Sequence, residues 1–241
     1  TTNALTGNVT VSSQGTSGNV TIDNGTTALG VQGIVNGNLA LTSGAAITDS
    51  NTLTVSGTTT VTTDVADQAI TLGTLASTGD VSLNSSGTTG NAVVNNTTTA
   101  LGLATSNIGG TLTAETDNSI TVNGTVTSKG VTSLSASDDV IFAAAGAIAS
   151  TNGNITVTAD DDNTPAGTGG AITMADGATI NSGTGTITLS ADEDITLGGL
   201  TTTNATGAAV AITSDNGSIT DGGNTNVDIT ASTTGAVVTL T

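Results

Sequence analysis

Short alternations of aliphatic and small polar residues run the whole length of the chain. They read VTV at 9–11, VTI at 20–22, LAL at 39–41, LTV at 53–55, ITL at 70–72 and VSL at 81–83. They continue as ITV at 120–122 and 155–157, ITM at 172–174, ITL at 187–189 and 195–197, VAI at 210–212 and VDI at 227–229. Each triplet puts two apolar side chains on one side of an extended backbone and one small side chain on the other, which is a strand pattern. No window carries a helical stripe. Gly-Asn pairs at 7–8, 18–19, 37–38 and 153–154 punctuate the strands, where positive φ or a tight corner is expected.

The spacing says how these strands are arranged. The first aliphatic residues Leu112, Ile120, Val126, Leu134, Val140, Ile148 and Ile155 are 8, 6, 8, 6, 8 and 7 residues apart. After an insertion, DDDNTPAGTGG at 160–170, the beat resumes at Ile172, Ile180, Ile187 and Ile195, with steps of 8, 7 and 8. Three steps make a triangular coil of about 21–23 residues, which predicts an all-β parallel β-helix, a β-solenoid. Hairpin sandwiches call for longer strands and two-residue Asn-Gly turns, which are scarce here. The expectation is one repeat array over 1–241 with a loop around 160–170, wound roughly eleven times into a rod of about 50 Å. Asparagines at matching corners are expected to form side-chain ladders between layers.

Composition then narrows the function. The 241 residues include 19 acidic side chains, one Lys (Lys129) and no His, giving a net charge of −18. Phe142 is the single aromatic residue, and Cys and Arg are absent. A narrow aliphatic interior follows, with Phe142 filling one wider coil. The wealth of β-branched residues argues against disorder. One Lys cannot neutralise a row of phosphates, and without aromatic platforms bases cannot stack, so nucleic acid is excluded as a partner. The longest apolar cluster, 140–149, is about half the roughly 20 residues of a spanning helix, so membrane insertion is not expected. No signal peptide is visible and the chain begins without Met, so it reads as a mature or excised piece of a longer protein.

Acidic residues gather after the strands, in LTAETDNSI at 112–120, SLSASDDVIF at 133–142, VTADDD at 157–162, LSADEDITL at 189–197 and ITSDNGSIT at 212–220. Carboxylates stacked about 4.8 Å apart repel unless something screens them. Calcium is the candidate ion, held by Asp160, Asp161, Asp162, Asp192, Glu193 and Asp194. The competing reading makes these corners solubilising turns that also keep strand stacks from joining sideways. Neither the EF-hand loop nor the nonapeptide calcium repeat is present; GGNTNVDIT at 222–230 approaches the latter only loosely.

Catalysis is not expected. Serines have no His to activate them, zinc and haem lack His and Cys ligands, and the pair Asp192 and Asp194 lacks the aromatic or basic groups that hold a sugar chain. Threonine pairs at 52–54, 111–113, 125–127, 156–158, 186–188 and 239–241 raise an ice- or carbohydrate-facing surface, although their irregular spacing speaks against one register. Glycosylation triplets begin at Asn8, Asn19, Asn24, Asn84, Asn95, Asn96, Asn123, Asn154, Asn204 and Asn216. Lys129 is expected at a solvated corner, and Pro165 marks a protruding loop.

The phrases GNVTV, GDVSL, GNITVTA and GTITLSADEDITLGG resemble the repeats of bacterial surface proteins of the filamentous-haemagglutinin type and of Thr-rich β-strand-repeat exoproteins. The resemblance implies a right-handed parallel β-helix, export to the bacterial cell surface, and a role as adhesin shaft, surface fibre or envelope layer. Partners would be neighbouring repeats or further copies stacked end to end, and a host or biofilm surface. An adhesin segment binding carbohydrate or ice is the alternative.

Overall fold

Strands as short as these triplets can bury an apolar face only if something covers it, and here the opposite walls of the solenoid do so while the next coil pairs with each strand's edge. A computed structural model describes residues 3–15, 17–160, 169–223 and 227–241. Among them there is no helix, and the strands pair in parallel into sheets of 12 and 16 strands. The all-β parallel β-solenoid expected from the spacing is therefore the fold. One face runs through eleven strands from Asn8–Ser12 to Val238–Leu240.

Coil length varies more than the triplet beat suggests. Down that face the register pairs Asn8 with Gly30, Leu29 with Ile47, Ile47 with Ile70, Ile70 with Ala92 and Ala92 with Leu112. It goes on from Leu112 to Thr132, Ile155, Ile187, Val210 and Val238. The shortest of these coils, Leu29 to Ile47, is little more than half the longest, Ile155 to Ile187. The backbone ladder fixes only the strands, so extra residues are absorbed at corners. The longest coil contains the 160–170 insertion; residues 161–168, with Pro165, lie outside the described residues.

Inside, like sits on like. Ile47, Ile70, Ala92, Leu112, Thr132, Ile155, Ile187 and Val210 form one column, and Ala114, Leu134, Val157, Leu189 and Ile212 another. All are fully buried and all but Thr132 are aliphatic, each of the larger aliphatic ones contributing about 1.5–3 kcal/mol. Near the corner the column narrows to Thr116, Ala136, Ala159, Ala191 and Ser214, because converging walls leave little volume. Phe142 lies buried between Val122 and Met174.

One strand gives way to two at two places: Ile47–Val55 meets both Ile70–Leu72 and Leu75–Ser77, and a second change falls at residues 81–108. Strand Val81–Asn84 covers the single strand Thr59–Thr63 on one side. On its other side it meets two strands, Leu101–Leu103 through Val81 and Ser106–Ile108 through Asn84. Beyond this seam each coil has three separate strands, as in Leu112–Thr116, Ile120–Val122 and Thr125–Ser128.

Candidate functional site

Two surface features could act on a ligand: the acidic corner beside the first face, and that face itself. Asp160, Asp192 and Asp215 directly follow Ala159, Ala191 and Ser214, which stack in consecutive layers. They line a shallow hollow with Thr158, Ala159, Ser190 and Ala191. Of the six acidic residues singled out from sequence, only Asp160 and Asp192 meet in this hollow. Asp161 and Asp162 lie outside the described residues.

The carboxylates at this corner are answered by protein donors. Asp192 Oδ1 accepts from Asn216 Nδ2 at 2.6 Å, Asp194 Oδ1 from the Ser218 N–H at 2.7 Å, and the Glu193 carbonyl from Ser214 Oγ at 2.8 Å. Asp139 Oδ1 accepts from the N–H groups of Gly170 and Ala171 at 3.1 and 3.0 Å. Among the described residues no three acidic side chains converge as metal ligands.

Asparagine uses the same device. Asn19 Oδ1 accepts from the Asn38 N–H, Asn38 from Thr58, Asn91 from Thr111 and Asn154 from Thr186, at 2.8–3.0 Å. Each acceptor directly precedes a strand and reaches the backbone of the next layer. The expected asparagine ladders are thus side chain to backbone. A carboxylate does the same job as an amide, which accounts for acid concentrated on strand-leading corners such as Asp139 and Asp194.

The glycines of these corners divide between the two expected reasons, positive φ and a tight corner. Gly7 has φ of +96°, but Gly18, Gly37 and Gly153 are not in the left-handed region. They serve close stacking. A Cβ on Gly37, Gly57 or Gly79 would meet the backbone of the glycine one layer below, in the series Gly18, Gly37, Gly57, Gly79. Gly110, Gly130, Gly153 and Gly185 form a second such column. Buried hydroxyls serve its carbonyls: Ser128 and Ser150 donate to Gly130, and Ser182 and Thr202 to Gly185, at 2.7–3.0 Å.

Buried Asn24 and Asn96 escaped the sequence reading. Asn96 Oδ1 accepts the Ser77 N–H at 2.8 Å, and its Nδ2 contacts the carbonyls of Ser77, Thr99 and Ala100 at 2.8–3.0 Å. Asn24 makes the matching contacts to Leu5, Thr27 and Ala28. Both are fully buried. The signal was the twin phrase NGTTALG at 24–30 and NTTTALG at 96–102.

Lys129 spans the seam, its Nζ donating to the Gly87 carbonyl at 2.7 Å. Asp67, at φ +63°, accepts the N–H groups of Thr88 and Thr89 at 2.7 and 2.8 Å. Those bonds, with a smaller contribution from Lys129, hold its carboxyl below the ordinary 3.8. Asp228 moves the other way: burial, then the nearby Asp221, pushes its carboxyl up.

The first face carries two outward columns in register. One runs Thr113, Ser133, Thr156, Thr188, Ala211 and Thr239, the other Glu115, Ser135, Thr158, Ser190 and Thr213. Of the threonine pairs noted from sequence, 156–158 and 239–241 lie wholly in line with these two columns. Thr52 and Thr54 belong to strand Ile47–Val55, and Thr125 and Thr127 to another face. Unequal corner lengths had hidden the register.

No curated protein and no solved structure matches the chain. A family model described as repeats of unknown function (DUF5649) matches residues 17–84 and 89–148, more than half of the sequence. With its stacked coils and twin phrases inside those two matches, the chain belongs to this family of repeats.

Proposed function

We propose that the chain is a structural column, a rigid extracellular shaft segment of a bacterial cell-surface fibre or adhesin, continued by neighbouring repeats or further copies. The observation that carries this reading is the parallel ladder that runs through eleven strands of one face, about 50 Å long at about 4.8 Å per strand. Solenoid stability is roughly a sum of layer and interface contributions, so such a column gains length without needing a larger core. The likeness of its phrases to filamentous surface exoproteins supports the location. Antibody raised against the chain is expected to label intact cells of the source organism. Labelling that needs cell lysis would sink the surface role. Electron microscopy of the purified chain is expected to give straight rods, and compact particles would sink the column.

The paired hydroxyl columns favour a second reading, an adhesin segment whose first face binds a polysaccharide. Side chains repeating once per layer offer a regular array of donors and acceptors to a regular polymer. Replacing Thr156 and Thr158 by Val is expected to abolish binding to immobilised polysaccharide if this reading holds. Unchanged binding, with the fold intact by circular dichroism, leaves the shaft alone.

A further inference from the structure

Five Asn-Gly steps occur, at Asn24, Asn36, Asn123, Asn152 and Asn216. This dipeptide is the one most prone to spontaneous loss of the side-chain amide, because glycine leaves its own backbone nitrogen unhindered. The glycine nitrogen, having lost its proton to hydroxide, bonds to the asparagine Cγ. The Cγ–Nδ2 bond breaks, ammonia leaves and a succinimide closes. One water then opens the ring at either carbonyl, leaving aspartate or isoaspartate. No oxidant or reductant is involved.

The attacking nitrogen is tied down at four of the five steps. The Gly25 N–H donates to Asp23 Oδ1 at 2.9 Å, Gly124 to the Leu103 carbonyl at 3.2 Å, Gly153 to Ser150 Oγ at 2.8 Å and Gly217 to Ser214 Oγ at 3.1 Å. Each bond must be given up before the nitrogen can reach Cγ. Asn24 is held further by its four contacts, and Asn216 by its bond to Asp192. The Gly37 N–H has no acceptor among the described residues, and Asn36 Nδ2 keeps only a 3.3 Å contact to the Ser13 carbonyl.

We propose that Asn36 is the deamidation site of the native protein, and that the glycine N–H bonds protect the other four steps. Exposure ranks them differently. Asn36 is half-buried, whereas Asn123, Asn152 and Asn216 are exposed. The consequence is structural, since an isoaspartate would lengthen the backbone beside Gly37, where Gly18 and Gly57 stack closely on either side.

The test is peptide mapping by mass spectrometry on the folded chain aged at mildly alkaline pH, beside the same chain in denaturant. Conversion at Asn36 is expected to exceed that at each other step by about tenfold in the folded chain. In denaturant the five rates should converge. A folded chain in which Asn123, Asn152 or Asn216 converts as fast as Asn36 overturns the proposal. Ser214→Ala, which removes the acceptor of the Gly217 N–H, is expected to accelerate Asn216 severalfold and leave Asn36 unchanged. No acceleration there would show that the N–H bonds are not the protection.

Discussion

The two family matches, 17–84 and 89–148, are the same device set turned by one face. Gly18, Val20, Asn24 and Leu29 correspond to Gly90, Ala92, Asn96 and Leu101 at one constant offset. Further on, Gly57, Thr59 and Ser77 correspond to Gly130, Thr132 and Ser150, the offset having grown by a single position. Yet strand Val20–Asp23 lies in the second sheet and its counterpart Ala92–Asn95 in the first. The glycine column moves likewise: it precedes strands Val20–Asp23, Leu39–Ser43 and Thr59–Thr63 in the first copy, and Leu112–Thr116, Thr132–Ala136 and Ile155–Ala159 in the second.

The cause is arithmetic: the repeat is not a whole number of coils. Starting from Leu29, the first face returns at Ile47, Ile70, Ala92 and Leu112. The sequence counterpart of Leu29 is Leu101, which falls between the last two of these and lies on another side of the column. Outward pairs such as Thr60 with Thr62 therefore sit on a different face from Ser133 with Ser135, their counterparts. Any surface built into the repeat winds around the column, and the seam at 81–108 is where one frame hands over to the next.

The comparison breaks first at the glycine columns. Gly153→Ala drives a Cβ into the Gly130 backbone and is expected to cost about 3 kcal/mol or more, as overpacking against backbone does. Gly79→Ala meets Gly57 in the same way and should lower the melting temperature by a similar amount in circular dichroism. A clear difference between the two would mean that the copies are not equivalent.

The buried asparagines give the next largest effect. Asn96→Ala strands the Ser77 N–H and three carbonyl contacts, a loss of about 2–4 kcal/mol. Asn24→Ala, beside the first layers, should cost less when both are measured by denaturant titration.

Acid sharpens the seam. The Asp67 carboxyl lies below 3.8 when folded, so it adds stability above that value, and the gain is lost as pH falls through the folded value. Asp228 has the opposite sign, its charged form opposing folding at higher pH. Asp67→Asn, which keeps an acceptor oxygen, is expected to flatten the fall of melting temperature below 3.8. An unaltered acid limb would remove Asp67 from the account.

The smallest effect concerns the acidic corners. Because Asp192 and Asp194 already accept protein donors, a calcium chelator should leave the melting temperature unchanged. A marked drop would support a calcium site at Asp160, Asp161, Asp162, Asp192, Glu193 and Asp194.

Much of this was readable in the chain. Triplets such as ITL at 187–189 need cover on one face only, and three of them per coil of about 21–23 residues give the long return that parallel stacking requires, so the solenoid followed from the beat of the chain. The twin phrases also lay in plain view, although what they do did not.

What the sequence by itself determined was therefore local: where strands start, which side chains turn inward, and which corners carry oxygen acceptors. Tertiary structure alone decided which residues share a column. Register depends on corner lengths accumulated over many coils, as unequal as those from Leu29 to Ile47 and from Ile155 to Ile187, and not on any one strand. It decided as well why glycine is required, since the obstacle at Gly153 is the backbone of Gly130, a full coil earlier in the chain and one layer away in space.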